Sequence, residues 1–118
     1  MHKRFVGNAA KRRLVSETLL LLPPQIKTYV AENVWFFTSA EDAWAYTFDG
    51  NDLKNKHFIY LSDELFDQNL SQIQYTILHE IGHVILKHKN AIDRKQTKSE
   101  VRKQEEQADS FAQKYLNN

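Results

Sequence analysis

The sequence predicts an α+β domain: two N-terminal helices, a small antiparallel sheet and a C-terminal pair of helices. Three observations predict it. Two stretches of helical apolar spacing, near 73–85 and 101–116, each follow a capping-box pair, Ser71 with Gln74 and Thr97 with Glu100. Runs of β-branched and aromatic residues at 34–38 and 57–61, and an alternating run at 43–48, read as strands. Pro23 and Pro24 separate one N-terminal helix from the next. A chain of 118 residues with no internal repeat, low-complexity tract or linker is expected to form one domain, 1–118.

Taken in order, the first element is an amphipathic helix that carries the apolar residues 19–22 and ends at the prolines. Pro24 opens a second helix through Asn33, with Ile26, Tyr29 and Val30 facing inward. The strand at 34–38 follows, then the strand at 43–48. Asp49, Gly50, Asn51 and Asp52 form a turn by composition. The third strand, 57–61, delivers the chain to the helix opened by Ser71. On that helix, steps of about 100° per residue put Ile73, Ile77, Leu78, Ile81, Val84 and Ile85 on one face. The polar segment 89–96 leads to the last helix, where Val101, Ala108, Phe111, Ala112, Tyr115 and Leu116 make the apolar stripe.

Composition narrows the class. Hydrophobic residues at 42% and charged residues at 26% are ordinary for a soluble domain. The chain has no cysteine, which removes disulfides, thiol chemistry and thiolate metal ligation. The apolar run 19–22 is too short for a bilayer, and prolines follow it where a signal peptide carries a small-residue cleavage site.

Residues 79–83 read His79-Glu80-Ile81-Gly82-His83. Histidines four apart on a helix share a face, one turn apart, where both imidazoles can reach one zinc ion. The apolar face lies opposite them, so the helix is expected to pack on both sides, its back on the core and its front on a cleft. Glu80 is the residue expected to take a proton from an activated water. Gly82, a poor helix former, leaves room for another backbone or a substrate on the cleft side.

The third ligand decides the kind of site. His88 projects to the apolar side, and Leu86 and Lys89 occupy the positions where a longer motif would carry glycine and a third histidine. A carboxylate is left, and Glu105 falls inside the apolar stripe of the last helix while Glu106 points away. An acid on a buried face is costly unless it is paired, protonated or metal-bound. His83 lies about 7–8 Å before the helix end near His88, and Glu105 roughly 10 Å into the next helix, so an antiparallel pair brings them level. Asp109, one turn on, is placed to accept a hydrogen bond from a ligand histidine and fix its tautomer. Zinc held by His79, His83 and Glu105 would leave one position open for water, the mark of a catalytic site.

The H-E-x-x-H motif followed by Glu105-x-x-x-Asp109 resembles the gluzincin metallopeptidases. Ile77-Leu78-His79-Glu80-Ile81-Gly82-His83, with Glu105-Glu106-Gln107-Ala108-Asp109-Ser110-Phe111-Ala112, is most similar to the ImmA/IrrE-like family, over residues 57–112. The resemblance implies a minimal zincin-like domain and an intracellular, hence cytoplasmic, zinc endopeptidase. It also implies a protein substrate, in several family members a helix-turn-helix repressor. Tyr46, His57, Tyr60 and Tyr115 are the candidates for the oxyanion donor such chemistry needs. An extended substrate would pair with the sheet edge at 57–61.

Rival readings rest on weaker features. Lys3, Arg4, Lys11, Arg12 and Arg13, with no acid among the first thirteen residues, suggest a nucleic-acid patch or a metal-dependent nuclease. A net charge of only +1 and the absence of aromatic–basic interleaving count against nucleic acid as a partner. A catalytically inactive binding module on the same scaffold would have no use for Glu80.

Overall fold

The computed structural model describes residues 4–38, 57–86 and 97–117. The expected strand at 43–48, the turn at 49–52, the connection 89–96, Tyr46 and His88 lie outside the described residues. The elements in order are β1 (Phe5–Val6), α1 (Ala9–Leu19), α2 (Pro24–Asn33), β2 (Val34–Phe37), β3 (His57–Tyr60), a 3₁₀ turn (Asp63–Asp67), α3 (Leu70–Ile85) and α4 (Lys98–Leu116).

Local chemistry accounts for the helix ends. Asn8 caps α1 by accepting from the Lys11 N–H, and three i→i+3 bonds tighten the chain through Leu22 before the prolines. Pro24 supplies the first helical position of α2, where a missing N–H costs nothing. Thr97 caps α4 as expected, its hydroxyl accepting from the Glu100 N–H at 3.0 Å. The cap of α3 differs from expectation: Asn69, not Ser71, accepts from the Gln72 N–H at 2.8 Å. Asn caps at least as well as Ser, so the helix starts earlier and Ser71 falls in its first turn.

The sheet corrects the expected fold class. Its order is β1-β2-β3 and both pairings are parallel, Phe5 opposite Phe36 and Val34 opposite His57. The described residues therefore form a mostly helical fold with a small parallel sheet, not an α+β domain on an antiparallel one. The reason lies in the connections. Antiparallel pairing suits tight hairpins, whereas β1 reaches β2 only through α1 and α2, a crossover long enough to return the chain in the same direction. β1 itself, two residues long, was not among the expected strands.

The core sits between this sheet and α3. Val15, Leu19 and Leu22 meet Val30, Val34, Phe36, Ile59 and Leu61, and Ile73, Ile77, Leu78 and Ile81 close over them. The inward residues of α3 are the ones its periodicity names, with Val84 and Ile85 partly buried at its end. On α2, Val30 is fully buried, but Tyr29 is exposed. Gly7 ends β1 where a Cβ would overlap the Thr38 hydroxyl. Near the N-terminus Lys11 pairs with Asp63 at 2.6 Å, Arg4 donates to the Ala31 carbonyl and Arg12 lies over the Phe5 ring. These cations serve intramolecular contacts. No described helix is long and apolar enough to cross a membrane.

Candidate metal centre

With its apolar face committed to the core, α3 turns Tyr75, His79 and His83 toward α4. The two helices run antiparallel: Tyr75, early in α3, meets Asp109 late in α4, while His83, late in α3, meets Glu105. Small residues let them approach. Ala108 and Ala112 are the fully buried residues of α4, and on α3 Gly82 lies under Phe111. A Cβ at position 82 would stand 3.1 Å from Phe111 Cδ1 and 3.2 Å from its Cβ. The space that Gly82 was expected to leave for a substrate or backbone is thus filled by the Phe111 side chain.

At this interface three donors converge. His79 Nε2 and His83 Nε2 are 3.2 Å apart. Glu105 bridges them, Oε2 at 2.9 Å from His79 and Oε1 at 3.1 Å from His83. Tetrahedral zinc with bonds of about 2.0–2.2 Å sets its ligand atoms roughly 3.3–3.6 Å apart, so only small outward shifts would accommodate an ion. Two ring nitrogens and a carboxylate are aimed at one point, where a divalent cation would satisfy all three at once. Among the described residues, His79, His83 and Glu105 are the group of acids and histidines able to hold a metal. The residues present fit a zinc ion.

Around this set a second layer orients His79. Its buried Nδ1 lies 2.8 Å from Asp109 Oδ1, off the axis of a straight hydrogen bond. At that distance a small rotation of the carboxylate brings the two into line. A proton on Nδ1 leaves the Nε2 lone pair facing His83 and Glu105. Asp109 Oδ1 in turn accepts from the Tyr75 hydroxyl at 2.7 Å. That bond, then burial, then the Asp109 charge hold the Tyr75 phenol above its usual pKa, so it stays a donor.

Several expectations change here. Glu105 reaches the histidines, yet its side chain is 52% exposed, so it is not the buried acid the stripe implied. Val101, expected in that stripe, is exposed as well. The buried part of α4 is narrower than the spacing suggested, and Glu105 reaches the site from its rim. Glu106 faces away, lining a shallow groove with Lys103, Ser110 and Lys114. Glu80 is half-buried, next to His79 on α3. Of the oxyanion candidates, His57 shares a 2.8 Å hydrogen bond with Tyr29, Tyr115 packs edge-on against Phe111, and Tyr60 is exposed on β3. None of these contacts brings a donor to the metal cluster. Tyr75, which reaches Asp109, was not singled out from the sequence, although it stands one turn before His79 on the same face.

Residues 39–118 match the Peptidase U49 family, a span that holds α3, α4 and every residue of the cluster. The match covers more than half of the chain, which belongs to this family and with it to the peptide-bond hydrolases. It supports a peptidase and does not extend to the ImmA/IrrE-like gluzincins. Nothing matches among curated proteins or among solved structures.

Proposed function

We propose that this peptidase is a zinc-dependent metalloendopeptidase of gluzincin type. The observation that carries the reading is the convergence of His79 Nε2, His83 Nε2 and the Glu105 carboxylate within 4.8 Å of one another. When bound, zinc supplies Lewis acidity toward the scissile carbonyl and lowers the pKa of water to about 7. Glu80 accepts the proton that the attacking water releases and returns it to the departing amine as the C–N bond breaks. Asp109 holds His79 in the tautomer that ligation requires. Among the described residues β3 lies at the sheet edge, and an extended polypeptide would align there through main-chain hydrogen bonds.

The resemblance to ImmA/IrrE-like proteins points to a cytoplasmic protein substrate, a helix-turn-helix repressor being the first to test. Purified protein should carry one zinc per chain, and His83→Ala should carry none. Co-expression with helix-turn-helix repressors encoded near its gene should yield a discrete cleavage product with wild type only. Full zinc occupancy in His83→Ala would place the metal elsewhere, and uncut repressors would remove that substrate class while leaving the metal assignment standing.

A further inference from the structure

We propose that Tyr75 is a positioning residue of the metal centre, its hydroxyl pinning the Asp109 carboxylate against His79 so that the imidazole is aimed at the ion. The inference rests on the zinc reading above. Asp109 belongs to α4 and its side chain is 48% exposed, so packing alone does not select its rotamer. A short carboxylate in that setting turns readily toward solvent. The Tyr75 hydroxyl, 2.7 Å from Oδ1, selects the orientation in which the same oxygen lies 2.8 Å from His79 Nδ1.

Tyr75 suits this task. It stands one turn before His79 on the same face of α3, its ring 6.3 Å from the imidazole, and its hydroxyl reaches across to the facing helix. The phenol ring is rigid and partly packed against the core, so its oxygen is a fixed point. Asp109 is not fixed in this way. His79 Nδ1 is buried with Asp109 Oδ1 2.8 Å away, so its orientation depends on where Asp109 is held. The chain Tyr75–Asp109–His79 thus carries rigidity from a packed aromatic to a candidate ligand through a carboxylate of the other helix.

The test is zinc affinity, measured by competition with a chromogenic chelator, for wild type, Tyr75→Phe, Asp109→Ala and the double variant, with melting of each metal-free protein. Phenylalanine keeps the ring and alanine suits a helix, so all four should fold. Asp109→Ala should lose affinity within the roughly 10–100-fold span found for groups that support a ligand histidine. Tyr75→Phe should lose part of that, and the double variant should be no weaker than Asp109→Ala. A merely structural role for Tyr75 would lower affinity by the same factor in both backgrounds, which would overturn the proposal. Tyr75→Phe matching a zinc-binding wild type would overturn it too, whereas a wild type that takes up no zinc would overturn the metal reading and this inference with it.

Discussion

Phe111 of α4 covers Gly82 of α3 so closely that a β-carbon on residue 82 would lie 3.1–3.2 Å from three atoms of its side chain. One of those atoms is the Phe111 Cβ, which moves only with the α4 backbone. The helix separation, and through it the reach of Glu105 to both histidines, depends on a glycine placed between them in sequence.

Gly82→Ala should therefore push α4 outward by a few tenths of an ångström. Overpacking costs about 1–3 kcal/mol, and alanine returns about 1 kcal/mol of helix propensity. The variant should fold with a net loss of roughly 0–2 kcal/mol, yet bind zinc more weakly than wild type. Thermal melting with chelator competition reads both quantities. Unchanged zinc affinity would mean that the helix spacing does not set the site.

Glu105→Gln should weaken zinc binding, because an amide is a poorer ligand and lacks the charge that offsets the ion. Glu106→Gln should leave binding unchanged, since Glu106 is not among the converging ligand groups and lines a groove with Lys103, Ser110 and Lys114. Both acids are exposed and adjacent, so general surface charge would affect the two variants alike. Equal affinities in metal titrations would rule out Glu105 as the third ligand.

Glu80→Gln keeps the side chain's size and leaves His79, His83 and Glu105 in place. It removes the basic oxygen, an effect worth roughly 10²–10⁴-fold in rate. The variant should be folded, zinc-loaded and inactive on whichever protein wild type cleaves. Cleavage at the wild-type rate would assign the base elsewhere. If wild type itself cleaved nothing while both forms held the same partner equally, the scaffold would be a binding module.

His57 gives a pH dependence of known sign. Burial lowers its pKa below 6.5, so the folded state resists protonation more than the unfolded one does. Stability from the neutral ring, which shares a hydrogen bond with Tyr29, is present above pH 6.5 and lost as pH falls through the folded pKa. Melting temperatures at pH 8 and pH 5 should show wild type falling further than His57→Gln. Every other side chain is common to the two proteins and cancels in the difference. Parallel shifts in the two would remove His57 as a source of acid sensitivity.

Much of the helical part of this protein is written locally. The prolines start α2, Thr97 starts α4, and a period near 3.6 names the buried face of α3, because these features depend on residues within a turn or two of one another. The same regularity puts His79 and His83 on one face, and the one-turn spacing of Glu105 and Asp109 brings both acids to the interface. Strand direction was not legible. Alternating or β-branched runs mark a strand but say nothing of its partner, and the parallel pairing of β1 with β2 follows from the crossover that α1 and α2 make between them. β1 is too short for any pattern to register. Tertiary structure alone decided that Glu105 reaches the histidines from an exposed rim, that Phe111 fills the space above Gly82, and that Tyr75 holds Asp109. Each depends on the distance and rotation between α3 and α4, which side chains distant in sequence set when they pack.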